Sequence, residues 1–144
     1  DDSPIRIIIG IDGGDAAAQV TQAVADRVWP LGSEARLVAV RKSRPRDPKK
    51  DSETTLALEE SSEKLRAIGL RVSTATTDGQ PQDVLMQEAR ELSADCIFLD
   101  PHGLSQELDT AFSRGGVGKV AKALVLGAHC SVEIVRQKSW LMDI

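Results

Sequence analysis

Aromatic residues, cysteine, histidine and long apolar runs are all scarce in this chain. Two tryptophans, two phenylalanines and no tyrosine stand among 144 residues, with two cysteines and two histidines. The two cysteines, Cys96 and Cys130, sit in apolar, strand-like contexts, where buried reduced thiols of a cytosolic protein are expected. The histidines and cysteines are scattered, apart from the adjacent His129-Cys130, whose side chains would point to opposite faces of an extended segment. No cluster therefore has metal-ligand spacing. No run of 18 or more apolar residues exists, so no membrane span is expected. The first residues, Asp1-Asp2-Ser3-Pro4, lack a charged-then-apolar leader, so no secretory signal is expected. Basic excess is missing too. The net charge is −4, which does not suit a nucleic-acid partner. The densest basic stretch, Arg41 to Lys50, holds six basic residues and two prolines without an interleaved aromatic. It reads as a solvated loop and is a poor match for single-stranded nucleic acid.

What the chain does have is ordinary globular composition, 41% hydrophobic and 28% charged, at a length that suits one domain over 1–144. It also has a glycine-rich stretch, Ser113-Arg114-Gly115-Gly116-Val117-Gly118-Lys119-Val120. Glycines let backbone N–H groups approach an anion closely, and the helix expected after them offers its positive end. The string approaches the phosphate loop of nucleoside-triphosphatases, which reads glycine, four residues, glycine, lysine, then serine or threonine. Ser113 and Val120 fail the two ends of that motif, and without a hydroxyl at 120 the usual magnesium ligand is missing.

Along the chain, strand and helix patterns alternate. Ile5–Ile11 reads as a strand buried on both faces. A helix capped by Asp15 follows through Val20, Val24 and Val28, ending at Pro30 and Gly32. Strand Ala35–Val40 precedes the basic loop. Helix Ser52–Ile68 places Leu56, Leu65 and Ile68 inward, and Gly69 stops it. Strand Leu70–Ala75 leads to a helix opening at Gly79-Gln80-Pro81, with Val84, Leu85 and Ala89 inward. Strand Asp95–Asp100, helix Val117–Gly127 and strand Ser131–Val135 complete the pattern. The alternation implies one doubly wound parallel α/β sheet with helices on both faces. In such sheets ligands bind beyond the carboxyl ends of the strands, where the strand order reverses.

Four ordered segments carry a family likeness: Ile8-Ile9-Gly10-Ile11-Asp12-Gly13-Gly14, Asp78-Gly79-Gln80-Pro81, Ala94-Asp95-Cys96-Ile97-Phe98-Leu99, and Ala128-His129-Cys130-Ser131-Val132-Glu133-Ile134-Val135-Arg136. From about Pro4 to Arg136 the chain resembles a universal stress protein domain. The resemblance implies a five-stranded sheet in order 3-2-1-4-5 and a homodimer paired through the last strand, here Ser131, Val132, Glu133, Ile134 and Val135. One branch of that family binds ATP and another does not. The binding branch carries glycine, two residues, glycine, nine residues, glycine, then serine or threonine after the fourth strand. Gly103 matches the first glycine, but Gln106 takes the place of the second. Anchored on the closing segment, the last glycine is Gly118, with Lys119 in the hydroxyl position and two extra residues in the loop, which includes Gly115 and Gly116. Strict spacing selects Gly116 instead, followed by Val117.

The expected adenine-nucleotide site therefore gathers Asp12, Val40, Gly103, Gly115, Gly116, Gly118 and Lys119, with ATP as the first ligand to test and a magnesium requirement left open. Asp12 matches the family's aspartate, and equally suits a turn that accepts N–H groups from Gly13-Gly14. Val40 enters through the resemblance alone. Lys119 offers three donors and a full charge where the family has a hydroxyl, at the helix end where a cation is mildly disfavoured. Asp100 and His102 form a weaker acid–base pair beside the same site, lacking a nucleophile with a partner. The leading expectation is a cytoplasmic stress-response or signalling module that binds a small ligand and is not an enzyme. A dimerisation module that has lost nucleotide binding is the alternative, carried by Gln106 and the two-residue insertion. A weak ATP hydrolase is the second alternative. Trp140, Leu141, Met142 and Ile144 form an apolar tail suited to packing on a partner or on its own domain.

Overall fold

A computed structural model describes residues 3–11, 15–41, 47–100 and 119–135, with the side chains of 15 and 16 excepted. The elements run β1 (Arg6–Ile11), α1 (Asp15–Ala25), β2 (Glu34–Arg41), α2 (Pro48–Ala67), β3 (Arg71–Asp78), α3 (Pro81–Leu92), β4 (Cys96–Leu99), α4 (Lys119–Gly127) and β5 (Ser131–Ile134). The strands form one sheet in the order β3-β2-β1-β4-β5, every neighbouring pair parallel. This is the architecture expected from the alternating pattern and from the family resemblance.

The central strand explains its own sequence. Ile7, Ile8, Ile9 and Ile11 are each at most 1% exposed, because helices cover both sides of β1. Ile7, Ile9 and Ile11 meet Ala17, Val20 and Val24 of α1 and Leu58 and Leu65 of α2 on one face. Ile8 meets Val84, Leu85 and Ala89 of α3 and Val120, Ala121 and Leu124 of α4 on the other. Val38, Ile97 and Leu99 share that second face, while Leu37 and Phe98 share the first. Burial of this many aliphatic side chains dominates the stability, at roughly 25 cal/mol per Å² of apolar surface removed from water.

Several boundaries differ from the sequence expectations for identifiable reasons. Helix α1 ends at Ala25, and Val28 is 99% exposed instead of facing the core. The chain leaves the helix early because Trp29 turns back, donating from Nε1 to the Val24 carbonyl at 2.8 Å and meeting the Phe98 ring edge-on. Helix α2 starts four residues earlier than Ser52. Asp47 caps it by accepting from the Lys49 N–H at 3.0 Å, and Pro48 occupies its first turn. The stretch expected as a basic loop is thus divided: Arg41 ends β2, residues 48–50 are helical, and 42–46 lie outside the described residues. Leu56 and Ile68 are exposed, and the inward face of α2 is Leu58, Ser61, Ser62 and Leu65. The periodicity was masked by polar residues on that face. Thr21 on α1 donates its hydroxyl to Ser61 at 2.8 Å, so two small polar groups let the helices approach closely. Strand β3 runs three residues past Ala75, held in register with β2 as far as Arg41↔Asp78. The Asp15 side chain, expected as a helix cap, lies outside the described residues, as does the apolar tail.

The amino ends of β1, β4 and β5 are tied by one residue. Asp95 accepts the Arg6 N–H on its carboxylate at 2.8 Å, donates its own N–H to the Arg6 carbonyl at 2.7 Å, and accepts the Ser131 N–H at 3.2 Å.

Candidate functional site

The chain runs outward from β1 in both directions, to β2 and β3 on one side and to β4 and β5 on the other. Because all five strands are parallel, their carboxyl ends share one edge, and the reversal leaves a crevice between the ends of β1 and β4. Helix α1 starts just after β1, and α4 starts at Lys119 on the opposite face. Of the four helices that follow strand carboxyl ends, α1 and α4 are the ones that follow β1 and β4, and at a helix amino terminus backbone N–H groups lack helical partners and favour anions.

Of the seven residues expected at the site, Val40 and Lys119 are among the described ones. Asp12, Gly103, Gly115, Gly116 and Gly118 lie outside the described residues, as does His102. Val40 is half-buried near the carboxyl end of β2 and packs against the apolar cluster that contains Leu99 of β4 and Val120 of α4. Lys119 is exposed at the first position of α4, and Val120 beside it is 5% exposed. The Val120 side chain packs into the α3–α4 cluster and anchors α4 onto the sheet, so the position where the phosphate-loop motif has a hydroxyl is here part of the apolar core.

Two features went unread in the sequence. Arg41 and Asp78, at the ends of β2 and β3, form an ion pair with Nε and Oδ1 3.0 Å apart, and the Gly79 N–H donates to the Arg41 carbonyl at 3.4 Å. The pair fixes the strand ends beside Val40. Its partly exposed geometry makes it worth little in stability, about 0–1 kcal/mol. Only the β2–β3 register brings the two residues together, so no local signal announced it. The second feature is Lys122, half-buried one turn beyond Lys119 on the same helix. The i, i+3 spacing was visible, but its nearness to the site depended on where α4 begins.

The other candidate chemistry lies elsewhere. Cys96 opens β4 and Cys130 immediately precedes β5, both at the amino edge of the sheet, away from the crevice. Both are free thiols. Burial, followed by the neighbouring Glu133 carboxylate, pushes the Cys96 thiol up to about 11. Burial and Asp95 also push Cys130 upward. A nucleophilic cysteine needs the opposite shift. The two pack on opposite faces of the sheet, Cys96 with the α1–α2 cluster and Cys130 with the α3–α4 cluster. His129 is exposed at the same amino edge. Asp100, half-buried, follows β4 at the crevice. Among the described residues no group of three or more histidine, cysteine or acidic side chains is placed to hold a metal ion. Among them, too, no helix is long and apolar enough to cross a membrane.

The five parallel strands in the order β3-β2-β1-β4-β5, with helices on both faces, define a doubly wound α/β protein whose strand order reverses between β1 and β4. The chain belongs to the universal stress protein family, whose profile matches residues 5–136. No curated protein sequence matches it. Among solved structures, it is similar to a universal stress protein family protein from Arabidopsis thaliana with AMP bound. That match has a TM-score of 0.69 and 16% identity, and covers 96% of this chain and 95% of that one. It is also similar to a universal stress protein in complex with cAMP, with a TM-score of 0.66 and 19% identity over 93% of this chain and 98% of the other. A universal stress protein from Archaeoglobus fulgidus in complex with dAMP matches with the same TM-score and identity, over 91% of this chain and 97% of that one. At these identities the likeness carries the fold.

Proposed function

We propose that the chain is a stress-response or signalling module that binds an adenine nucleotide in the crevice at the carboxyl ends of β1 and β4. The observation that carries this reading is the placement of Lys119 at the start of α4, with Val120 packed into the same cluster as Val40. A cationic helix start and the end of β2 thus belong to one packed unit. Three similar structures hold adenine mononucleotides, namely AMP, cAMP and dAMP, which supports an adenine ligand.

In this reading the backbone near Val40 meets the base, Asp12 meets the base or ribose, and Gly103 opens the phosphate side. The amides of Gly115, Gly116 and Gly118 approach the phosphates, which a helix amino terminus attracts. Lys119 replaces the family's hydroxyl with a full positive charge, and Lys122 adds a second cation one turn on. Two lysines beside a polyphosphate offset charge without a metal, so ATP is the species we put first and magnesium is secondary. Val120, in place of the hydroxyl that ligates magnesium in the phosphate-loop motif, argues against a triphosphatase mechanism. The same reading places the protein in the cytoplasm, in keeping with its two free thiols. It also makes the protein a homodimer paired through β5, the short outer strand on the β4 side.

The test is direct. Purified protein is denatured and the supernatant examined by mass spectrometry for released nucleotide. Thermal shifts are then measured with ATP, with and without magnesium, and with AMP. Adenine nucleotide in the supernatant, or a rise in melting temperature with ligand, is the expected result. Lys119→Ala should reduce the ATP shift more than the AMP shift, and Asp12→Ala should reduce both. No released nucleotide and no shift at millimolar ligand would overturn the proposal in favour of a dimerisation module, the reading suggested by Gln106. Phosphate release above blank would support the hydrolase.

A further inference from the structure

Strand β3 is the outer strand on the side of the sheet opposite β5, and among the described residues no strand pairs with its free edge. It is eight residues long, Arg-Val-Ser-Thr-Ala-Thr-Thr-Asp, where β5 has four. Natural sheets guard such edges with lysine, proline, bulges or brevity. None of these occurs in β3. Between Arg71 and Asp78 there is no charge at all, and four of the six residues are the β-branched Val72, Thr74, Thr76 and Thr77.

The hydrogen-bond pattern shows which backbone groups face outward. Arg71 and Gly79 donate their N–H groups toward the β2 side, to the Ser33 and Arg41 carbonyls at 3.1 and 3.4 Å. In a parallel ladder alternate residues bond to one neighbour, so the odd-numbered residues serve β2. The backbones of Val72, Thr74 and Thr76 then point away from the sheet. Thr74 and Thr76 are exposed and Val72 is half-buried.

The geometry points to β3 as an interface for a second copy of this chain, paired antiparallel about a two-fold axis at Thr74. Outward-facing residues must oppose one another for both N–H···O bonds of each pair to form. With the axis at Thr74, the threonine faces its own copy and Val72 faces Thr76 of the second copy. β-branched side chains then oppose β-branched ones, a favourable cross-strand arrangement. An axis one residue on would instead set Val72 against the Asp78 carboxylate. Antiparallel approach also carries Arg71 of one copy to the Asp78 end of the other, whereas parallel approach would place like charges together. This edge is separate from β5 and does not depend on the nucleotide proposal.

The experiment uses two variants of the full chain, each at an exposed position whose fold is checked by far-UV circular dichroism. Thr74→Cys places thiols across the two-fold axis and should give a disulfide-linked dimer on mild oxidation, which the native chain, with Cys96 and Cys130 only, does not. Thr74→Lys sets two ammonium groups against each other and should weaken self-association in sedimentation equilibrium by about fivefold or more. Absence of the cross-link, or association unchanged by Thr74→Lys, would overturn the inference. Association through β5 alone gives that second result.

Discussion

Phe98 is the point where the exit of α1 is bolted to the sheet, and its truncation offers the sharpest test of how this core is built. The ring is 1% exposed on β4. Trp29 meets it edge-on with centroids 6.2 Å apart, and the Arg27 guanidinium lies 5.0 Å above its centroid. Arg27 in turn pairs with Glu133 on β5. Phe98→Ala removes a large buried side chain and leaves a cavity, at a cost of about 3–5 kcal/mol. Phe98→Leu keeps most of the aliphatic burial but loses the ring partners. The edge-on pair is worth about 0.5–1.5 kcal/mol and the partly exposed cation–π contact about 0.5–1 kcal/mol, so the leucine variant should lose about 1–2.5 kcal/mol. Urea unfolding followed by far-UV circular dichroism measures both, with an unchanged slope confirming that stability alone has moved. A double-mutant cycle of Phe98→Leu with Trp29→Leu should show coupling of about 0.5–1.5 kcal/mol. Coupling near zero, or an alanine variant that loses under about 1 kcal/mol, would refute the claim that this cluster anchors the α1 exit.

Three further outcomes follow from the same structure. Ser61→Ala should cost about 1–2 kcal/mol in urea unfolding by leaving the buried Thr21 hydroxyl without its acceptor, while the double change Thr21→Val with Ser61→Ala should recover most of the loss. Gly79 sits at φ +139°, and a Cβ there would lie 3.2 Å from Cγ2 of Val84, so Gly79→Ala should destabilise by about 1–3 kcal/mol, read as a lower urea midpoint. The Cys96 thiol is raised from the ordinary 9.0 to about 11, so between those values the unfolded chain releases a proton that the folded chain keeps. Its contribution is complete below pH 9 and lost as pH rises through 11. Unfolding midpoints measured across that window should fall less steeply for Cys96→Ser than for the native chain.

How much of this was legible beforehand depended on where the information resides. The strand expected over Ile5–Ile11 and the helix expected to open at Gly79-Gln80-Pro81 match β1 and α3 closely, because continuous burial and 3.6-residue periodicity are local properties of the chain. Leu56 and Ile68 depart from the inward placement that their hydrophobicity suggests. Helix α2 buries Ser61 and Ser62 instead, since its neighbour α1 comes close enough to need small side chains there. Val28 departs in a similar way. Its helical spacing from Val24 was sound, but Trp29 found a better partner in Phe98 and ended the helix first. Both departures are tertiary contacts overriding a local pattern.

The site was harder to read for a related reason. A crevice at strand ends is made largely of backbone, and backbone donors leave no mark on side-chain identity beyond the glycines that permit close approach. The resemblance supplied Val40, whose apolar side chain says only that it packs, and the structure confirms that packing without adding a polar role. Arg41 and Asp78 were invisible as a pair because they are 37 residues apart and meet only through the β2–β3 register. Lys119 is the exception, since its departure from the family's hydroxyl could be seen in the sequence alone. Val120 belongs to the core, so any side-chain contact with a ligand at the start of α4 falls to the exposed residue before it. A lysine there reaches further than a serine and carries its own charge. The binding question therefore turns on whether that charge offsets the loss of a glycine at Gln106, which is why the phosphate dependence of the Lys119→Ala thermal shift is the decisive measurement.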